Sequence, residues 1–241
     1  MKGIREYIER DLIKWLRSPV SVISMLAMPA AWLIFVGLAL PVTFTGNYLD
    51  FITPGILVMT MLSSSLNGGT LLMFDKILGF LNKFLALPTP RESILFGKIL
   101  FITIRGAIQA TIILVIAVII GASILSPAQY AMIYLILLLF GFLMSACATT
   151  IALYLGDHDS YSAFNTMISM PLFFTSSALM PYDVMPGWLS TIAHLNPLSY
   201  AIDAVRAAEA GTLPFIQIGL LVAMGGIVIA ICMQMFRRVT I

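Results

Sequence analysis

Residues 105–125 read RGAIQATIILVIAVIIGASIL. After Arg105 the stretch from Gly106 to Leu125 carries no charge, and about 20 apolar residues are what a helix needs to cross a bilayer. Five more runs of this kind flank it, at Val20–Leu40, Thr53–Phe74, Ala131–Leu155, Phe164–Met180 and Phe215–Phe236. The Phe164–Met180 run is near the lower length limit and ends at Pro181, where a broken element can continue it. The expectation is an all-α membrane protein with six transmembrane helices. Composition agrees: 60% of the 241 residues are hydrophobic and 10% are charged, against roughly 25% charged in a soluble domain.

The basic residues orient the spans. Lys2, Arg5, Arg10, Lys14 and Arg17 precede the first run, Lys76, Lys83, Arg91, Lys98 and Arg105 lie between the second and third, and Arg237 and Arg238 close the last. Only Arg206 falls elsewhere. Cytoplasmic segments collect Lys and Arg, so six spans with both termini cytoplasmic place the three patches together, against the anionic inner leaflet. Arg105 is read as near the inner end of its span, able to snorkel to the headgroups. The plasma (cell) membrane is the expected location. Leu38-Ala39-Leu40-Pro41 makes a poor cleavage site, so the first run does not read as a signal peptide. Cys147 and Cys232 both fall inside spans, which argues against a disulfide or metal framework.

Between the spans, length is informative. Links 41–52, 126–130 and 156–163 are short, whereas 75–105 and 181–214 are long, and long loops in compact proteins usually carry function. Residues 2–17 read as an amphipathic interfacial helix with Ile4, Ile8, Leu12, Trp15 and Leu16 on one stripe. Asp75–Leu87 reads as a helix ended by Pro88-Thr89-Pro90, with Lys76, Gly79 and Lys83 on one stripe and Ile77, Phe80, Leu81, Phe84 and Leu85 on another. Arg91-Glu92 then opens a helix leading through Gly97-Lys98 into the third span. Residues 181–214 are punctuated by Pro181, Pro186, Gly187, Pro197, Gly211 and Pro214, too apolar for a solvated loop and too broken for a span. They read as short re-entrant or interfacial helices forming a lid, with Trp188 and Tyr200 at headgroup level.

These segments resemble the membrane subunit of type-2 ABC exporters, the ABC-2 transporter permease family that includes drug, lipid and polysaccharide exporters. The likeness covers nearly the whole chain. It is carried by Arg17-Ser18-Pro19 and Pro29, by Asp75-Lys76, Gly79, Leu81, Leu87-Pro88, Arg91 and Gly97-Lys98, and most specifically by Ser176, Pro181, Met185-Pro186, Trp188-Leu189, Ile192, Asn196-Pro197, Tyr200, Asp203 and Arg206. The chain departs from the family with Asp75 in place of Glu, Phe80 in place of Thr and Ser177 in place of Gly.

The resemblance implies a single domain over 1–241. Residues 1–18 would be a connecting helix, 75–98 a coupling-helix segment and 181–214 an external segment. Asp75, Lys76, Gly79, Lys83, Pro88 and Arg91 would serve coupling to an ABC ATPase. Pro181, Pro186, Trp188, Asn196, Pro197, Tyr200, Asp203 and Arg206 would form the external lid. The second and fifth spans would line a path at the centre of a dimer with a second permease copy or paralogue. Within those spans Thr60, Ser63, Asn67 and Thr70 align, as do Asn165, Ser169, Phe173 and Ser176. Such polar stripes are either helix–helix glue or the walls of a path for a hydrophobic or amphipathic substrate.

No nucleotide site is expected in this chain. A phosphate-binding loop needs Gly-x-x-x-x-Gly-Lys-Ser/Thr, but Glu92 stands at the first glycine position and Ile99 follows Gly97-Lys98. ATP and Mg are expected in the partner subunit, and no nucleic acid is expected as a partner. Asp157-His158-Asp159 is the most metal-like cluster, yet three consecutive side chains do not easily converge on one ion, and a solvated helix end suffices. His194 reads as packing or interfacial. Asp203 and Arg206, three apart on a helix, can pair as a fold lock or as part of a gate; an exposed pair is worth about 0–1 kcal/mol. Gly141 and Ser145 make a small-residue step suited to close helix packing. An ion-coupled carrier would want charged groups at mid-membrane, and an intramembrane enzyme would want convergent polar residues.

Overall fold

The computed structural model describes residues 2–37, 48–80 and 91–238; the side chains of 2–7, 10, 91–93 and 237–238 lie outside the description. Among the described residues the structure is helical and has no strand. The helices are α1 (Lys2–Leu16), α2 (Pro19–Ala31, continued by a π turn at Trp32–Val36), α3 (Tyr48–Ile77), α4 (Arg91–Ile120) and α5 (Pro127–Tyr154). They are followed by α6 (His158–Phe174), a 3-10 turn at Tyr182–Val184, α7 (Gly187–Leu195), α8 (Pro197–Glu209) and α9 (Phe215–Arg238).

Five of these are long and apolar enough to cross a membrane: Pro19–Val36, Tyr48–Ile77, Ile94–Ile120, Pro127–Tyr154 and Phe215–Phe236. Where the fifth span is expected, α6 runs 17 residues, contains Pro171, and gives way to turns at Thr175–Met180. In α3, 78% of the residues of its apolar stretch are buried, against 11% for the first span and 17% for α9. Hence α3 is the centre of the bundle, while α2 and α9 turn apolar side chains outward, as a lipid-facing surface requires.

Local chemistry sets the helix starts. Ser126 caps α5 through a capping box with Gln129, and Pro127 occupies the first turn, where its missing N–H costs nothing. Asp157 caps α6, its carboxylate accepting from the Ser160 N–H at 2.7 Å. Asn196 caps α8, with Pro197 next.

The main core joins Ile52, Ile56 and Met61 of α3, Ile113 of α4, Phe140 of α5, and Ile202 and Val205 of α8. A second cluster at the other end holds Leu72, Met73, Leu95, Leu153, Tyr161 and Phe236. Close approach depends on small residues. A Cβ on Gly69 would strike the Tyr161 hydroxyl and come within 2.9 Å of the Ala148 carbonyl, so this glycine is what lets α6 lie against α3. The expected small-residue step is in place: Gly141 faces Met61, and buried Ser145 donates to Ser65 Oγ at 3.1 Å. Such hydrogen bonds average about 0.6 kcal/mol within a membrane, so they set register more than stability.

The amphipathic face of α1 packs on protein. Trp15 is buried with Phe101 and Ile102 of α4, and Ile8 and Leu12 pack against them. Leu16 of the same stripe is 54% exposed, so α4 covers only part of it.

Candidate functional site

The Lys98 end of the bundle gathers the residues expected to couple to a partner. Asp75 and Lys76 occupy the last turn of α3, and both side chains are engaged within the chain. Lys98 Nζ lies 2.5 Å from Asp75 Oδ2 and 3.1 Å from Asp11 Oδ2. One ammonium on α4 therefore joins α1 and α3. Lys76 Nζ donates to the carbonyls of Leu153 and Leu155 at 2.8 and 2.7 Å. These lie at the C-terminus of α5, where carbonyls lack intrahelical partners and a cation is favoured.

The helix expected over Asp75–Leu87 does not run on from Asp75. Helix α3 ends at Ile77, and Leu78-Gly79 turns the chain with Gly79 at φ +73°. Glycine enters this left-handed region without the penalty other residues meet. Lys76 and Gly79 thus do not lie on one continuous helix. Lys83 and Pro88 lie outside the described residues; Arg91 opens α4, and its side chain lies outside them.

The segment 181–214 closes the opposite end. Pro181 and Pro186 immediately precede the 3-10 turn and α7. Asn196 does two jobs. Its side-chain oxygen accepts from the Leu198 N–H at 2.9 Å, and its amide donates to the Leu172 carbonyl at 2.7 Å and to Thr175 Oγ1 at 3.1 Å. One residue both starts α8 and fastens it to the end of α6. Pro197 fills the first turn of α8. Tyr200 donates to the His194 carbonyl at 2.6 Å, and the His194 ring lies 4.3 Å from that of Tyr182. Trp188 stands apart, 67% exposed.

Asp203 and Arg206 pair at 3.9 Å, but their other partners are closer. Asp203 accepts from Tyr182 at 2.6 Å and from Ser177 Oγ at 2.9 Å. Arg206 donates to the carbonyls of Ser177 at 2.8 Å and Phe51 at 3.2 Å, and it lies 4.0 Å over the Phe51 ring. Burial, then the hydrogen bond to Asp203, pushes the Tyr182 phenol up to about 12. Burial lowers Arg206, opposed by Asp203 and Glu209. The pair thus belongs to a network tying α8 to the turns after α6 and to the start of α3. Ser177 is central to it, its hydroxyl and carbonyl both used.

Each polar stripe mixes buried and half-buried residues. Thr60 is buried and donates to the Ile56 carbonyl of its own helix at 2.7 Å. Ser63, Asn67, Asn165 and Ser169 are half-buried. Asn67 donates back to the Ser63 carbonyl at 2.8 Å. Phe173 is buried against Trp32, with ring centroids 5.5 Å apart. Among the described residues no side-chain hydrogen bond joins Ser63 or Asn67 to Asn165 or Ser169. Asp157 acts as a cap, held below its ordinary range by the Ser160 hydrogen bonds, and His158 stacks on Phe74 at 4.8 Å.

A further expectation is overturned. Arg105 does not snorkel. Helix α4 is continuous from Arg91 to Ile120, so Arg105 falls near its middle and is 1% exposed. Its Nη2 donates to the Ser64 carbonyl at 2.6 Å. The run after Arg105 looked like a whole span because α4 starts earlier than its charge-free part. Arginine keeps its proton in proteins, so a charge here does not supply the titrating group of a proton-coupled carrier.

The ABC-2 type transporter family matches residues 3–210. The chain belongs to the ABC-2 type transporter family. It is 36% identical over 209 residues to the ycf38 transport permease of Cyanophora paradoxa, covering 83% of this chain and 71% of that protein. It is 24% identical over 238 residues to the daunorubicin resistance ABC transporter permease protein DrrB1 of Streptomyces coeruleorubidus, covering 96% and 83%. The doxorubicin resistance ABC transporter permease protein DrrC of Mycobacterium tuberculosis is 27% identical over 229 residues, covering 90% and 81%. This ABC-2 permease is a multi-pass membrane transport protein.

Several contacts of the permease escaped sequence reasoning. Lys98 joins two carboxylates distant in sequence, and Glu209 shares a cavity of about 240 Å³ with Asp50 and Ser123. No local pattern marks either. Gly69 opposite Tyr161 is equally silent, because an isolated glycine in a helix does not say what approaches it.

Proposed function

We propose that this chain is the membrane half of an ATP-driven exporter, with hydrolysis of ATP and Mg binding supplied by a separate ABC ATPase. The observation that carries this reading is its likeness along nearly all its length to ABC transporter permeases. In this reading six segments span the cell membrane, with α6 and the turns after it as the fifth, and both termini are cytoplasmic. Two copies, or one copy and a paralogue, enclose the path.

The ATPase would push on the chain that turns at Gly79. The fastening of α3 to α1 and α4 through Lys98 supports this, because a push there moves three helices together. Motion of α3 would then reach the segment 181–214 through the Arg206 bond to the Phe51 carbonyl. Half-buried Ser63, Asn67, Asn165 and Ser169 would face the second copy across the path. DrrB1 and DrrC are named for daunorubicin and doxorubicin resistance, and a hydrophobic or amphipathic drug or lipid-like substrate suits such walls.

The test is a mild-detergent pull-down of the tagged chain, followed by an ATPase assay on what co-purifies. A recovered phosphate-binding-loop ATPase that transports with wild type, but hydrolyses without transport when Gly79→Leu is made, is the expected result. Normal transport by a Gly79→Leu variant would remove the turn from the coupling route. Absence of any ATPase would remove the whole reading.

A further inference from the structure

Helices α1, α2, α3 and α4, with the turn after α3, line a partly open cavity of about 530 Å³ beside Lys98, within the range of roughly 300–1,000 Å³ for small-molecule sites. Its walls are mainly apolar, with Trp15, Met25, Phe74, Leu78 and Phe101 among them, and Arg105 lines it. Arg105 is fully buried, yet its described hydrogen bonds are both to Ser64, the carbonyl at 2.6 Å and the hydroxyl at 3.3 Å, and its only other described contact is with the Phe101 ring, whose centroid is 5.8 Å away.

A guanidinium carries five N–H donors and a permanent charge. Among the described residues no carboxylate forms an ion pair with Arg105. Lys98 differs, since it lies between Asp11 and Asp75 and its charge is already met. Seven residues separate Lys98 from Arg105 along α4, so Arg105 lies about 10 Å farther in. A buried cation without a counter-charge is costly, and an anion entering the cavity would relieve that cost.

We propose that this cavity binds a single-chain anionic amphiphile, with its acid head on Arg105 and its chain along Trp15 and Phe101. Charge selects the head, because the free donors of Arg105 match the two oxygens of a carboxylate. The aromatic walls take the chain. This site is separate from the path between copies described above, and its described walls all come from one chain.

Trp15 makes the site observable. In a Trp32→Phe/Trp188→Phe background Trp15 is the sole tryptophan. The purified full-length permease in detergent is titrated with 9,10-dibromostearate, whose bromines quench nearby indole fluorescence, and in parallel with the neutral dibromostearyl alcohol. The acid is expected to quench saturably at a concentration at least about tenfold below the alcohol, and Arg105→Gln to erase that difference. A Ser21→Glu variant leaves Arg105 in place and sets a competing carboxylate on the cavity wall; it should weaken the acid and spare the alcohol. Equal quenching by acid and alcohol in the parent protein overturns the proposal. So does an unchanged acid titration in folded Arg105→Gln, or in Ser21→Glu. No ATPase is present in this experiment, so its outcome is independent of the coupling reading.

Discussion

The Lys98 ammonium lies 2.5 Å from the Asp75 carboxylate, which fixes the last turn of α3 against α4 before the chain turns at Gly79. Lys98 is 5% exposed. Removing one partner of a buried ion pair costs on the order of 3–5 kcal/mol, because the other is left uncompensated. Asp75 and Asp11 are partly open to solvent, which lowers that figure. Lys98→Met should therefore destabilise the protein by about 2 kcal/mol or more, read as a lower unfolding midpoint in detergent. Asp75→Asn should cost less, since Asp11 remains for the ammonium. Equal midpoints for wild type and Lys98→Met would show that the ion pair contributes nothing.

Asn196 separates two roles by chemistry. Asn196→Asp keeps the oxygen that caps α8 but loses the amide that reaches Leu172 and Thr175. Asn196→Ala loses both. The cap is worth about 1 kcal/mol, so Ala should destabilise more than a small-to-large surface change would. Asp should keep α8 while loosening it from α6, seen as faster amide exchange at 175–180. Identical exchange in Asp and wild type would rule out the tether.

Glu209 makes stability depend on pH. Burial, with Asp50 adding to it and Arg206 opposing, raises its carboxyl from 4.5 to about 8. The folded state then holds a proton that the unfolded state has lost, so folding is favoured at low pH and that advantage fades as pH rises from about 4.5 to about 8. Wild type should lose more thermal stability between pH 5 and pH 8.5 than Glu209→Gln, which has no proton to lose. Parallel pH profiles for the two proteins would refute the shift.

Gly69 and Tyr161 should behave as a coupled pair. Gly69→Ala drives a methyl into the Tyr161 hydroxyl, and overpacking of this kind costs about 1–3 kcal/mol. Tyr161→Phe alone forfeits the hydrogen bond to the Leu66 carbonyl. Combined, the two changes should cost less than their sum, because the nearest clashing atom is removed, although the ring carbon at 2.6 Å remains. Strict additivity in a double-mutant cycle would mean that the aromatic ring or the Ala148 carbonyl, not the Tyr161 hydroxyl, limits the approach.

Much of the fold was legible because lipid imposes a one-dimensional rule. A run of apolar residues with no charge must be a helix, so five long helices sit where the hydropathy places them. The caps at Ser126, Asp157 and Asn196 follow equally local chemistry. The segment 181–214 announced its short helices through its prolines. Arg105 was misplaced for an instructive reason. Its charge looked like the edge of a span, yet a buried arginine is tolerated inside α4 because Ser64 and a cavity meet it from the side.

The sequence by itself determined the class of the protein, its family and the approximate places of its long helices, since hydropathy, caps and turn residues act over a few neighbours. Tertiary structure alone decided which polar groups meet. Lys98 finds Asp11 and Asp75 across 87 and 23 residues of chain, Arg206 finds the Phe51 carbonyl 155 residues away, and Arg105 finds no carboxylate among the described residues. Side-chain charge and hydrogen bonding act over a few ångströms in space, and only the packing of α1, α3, α4 and α8 brings those partners within that distance.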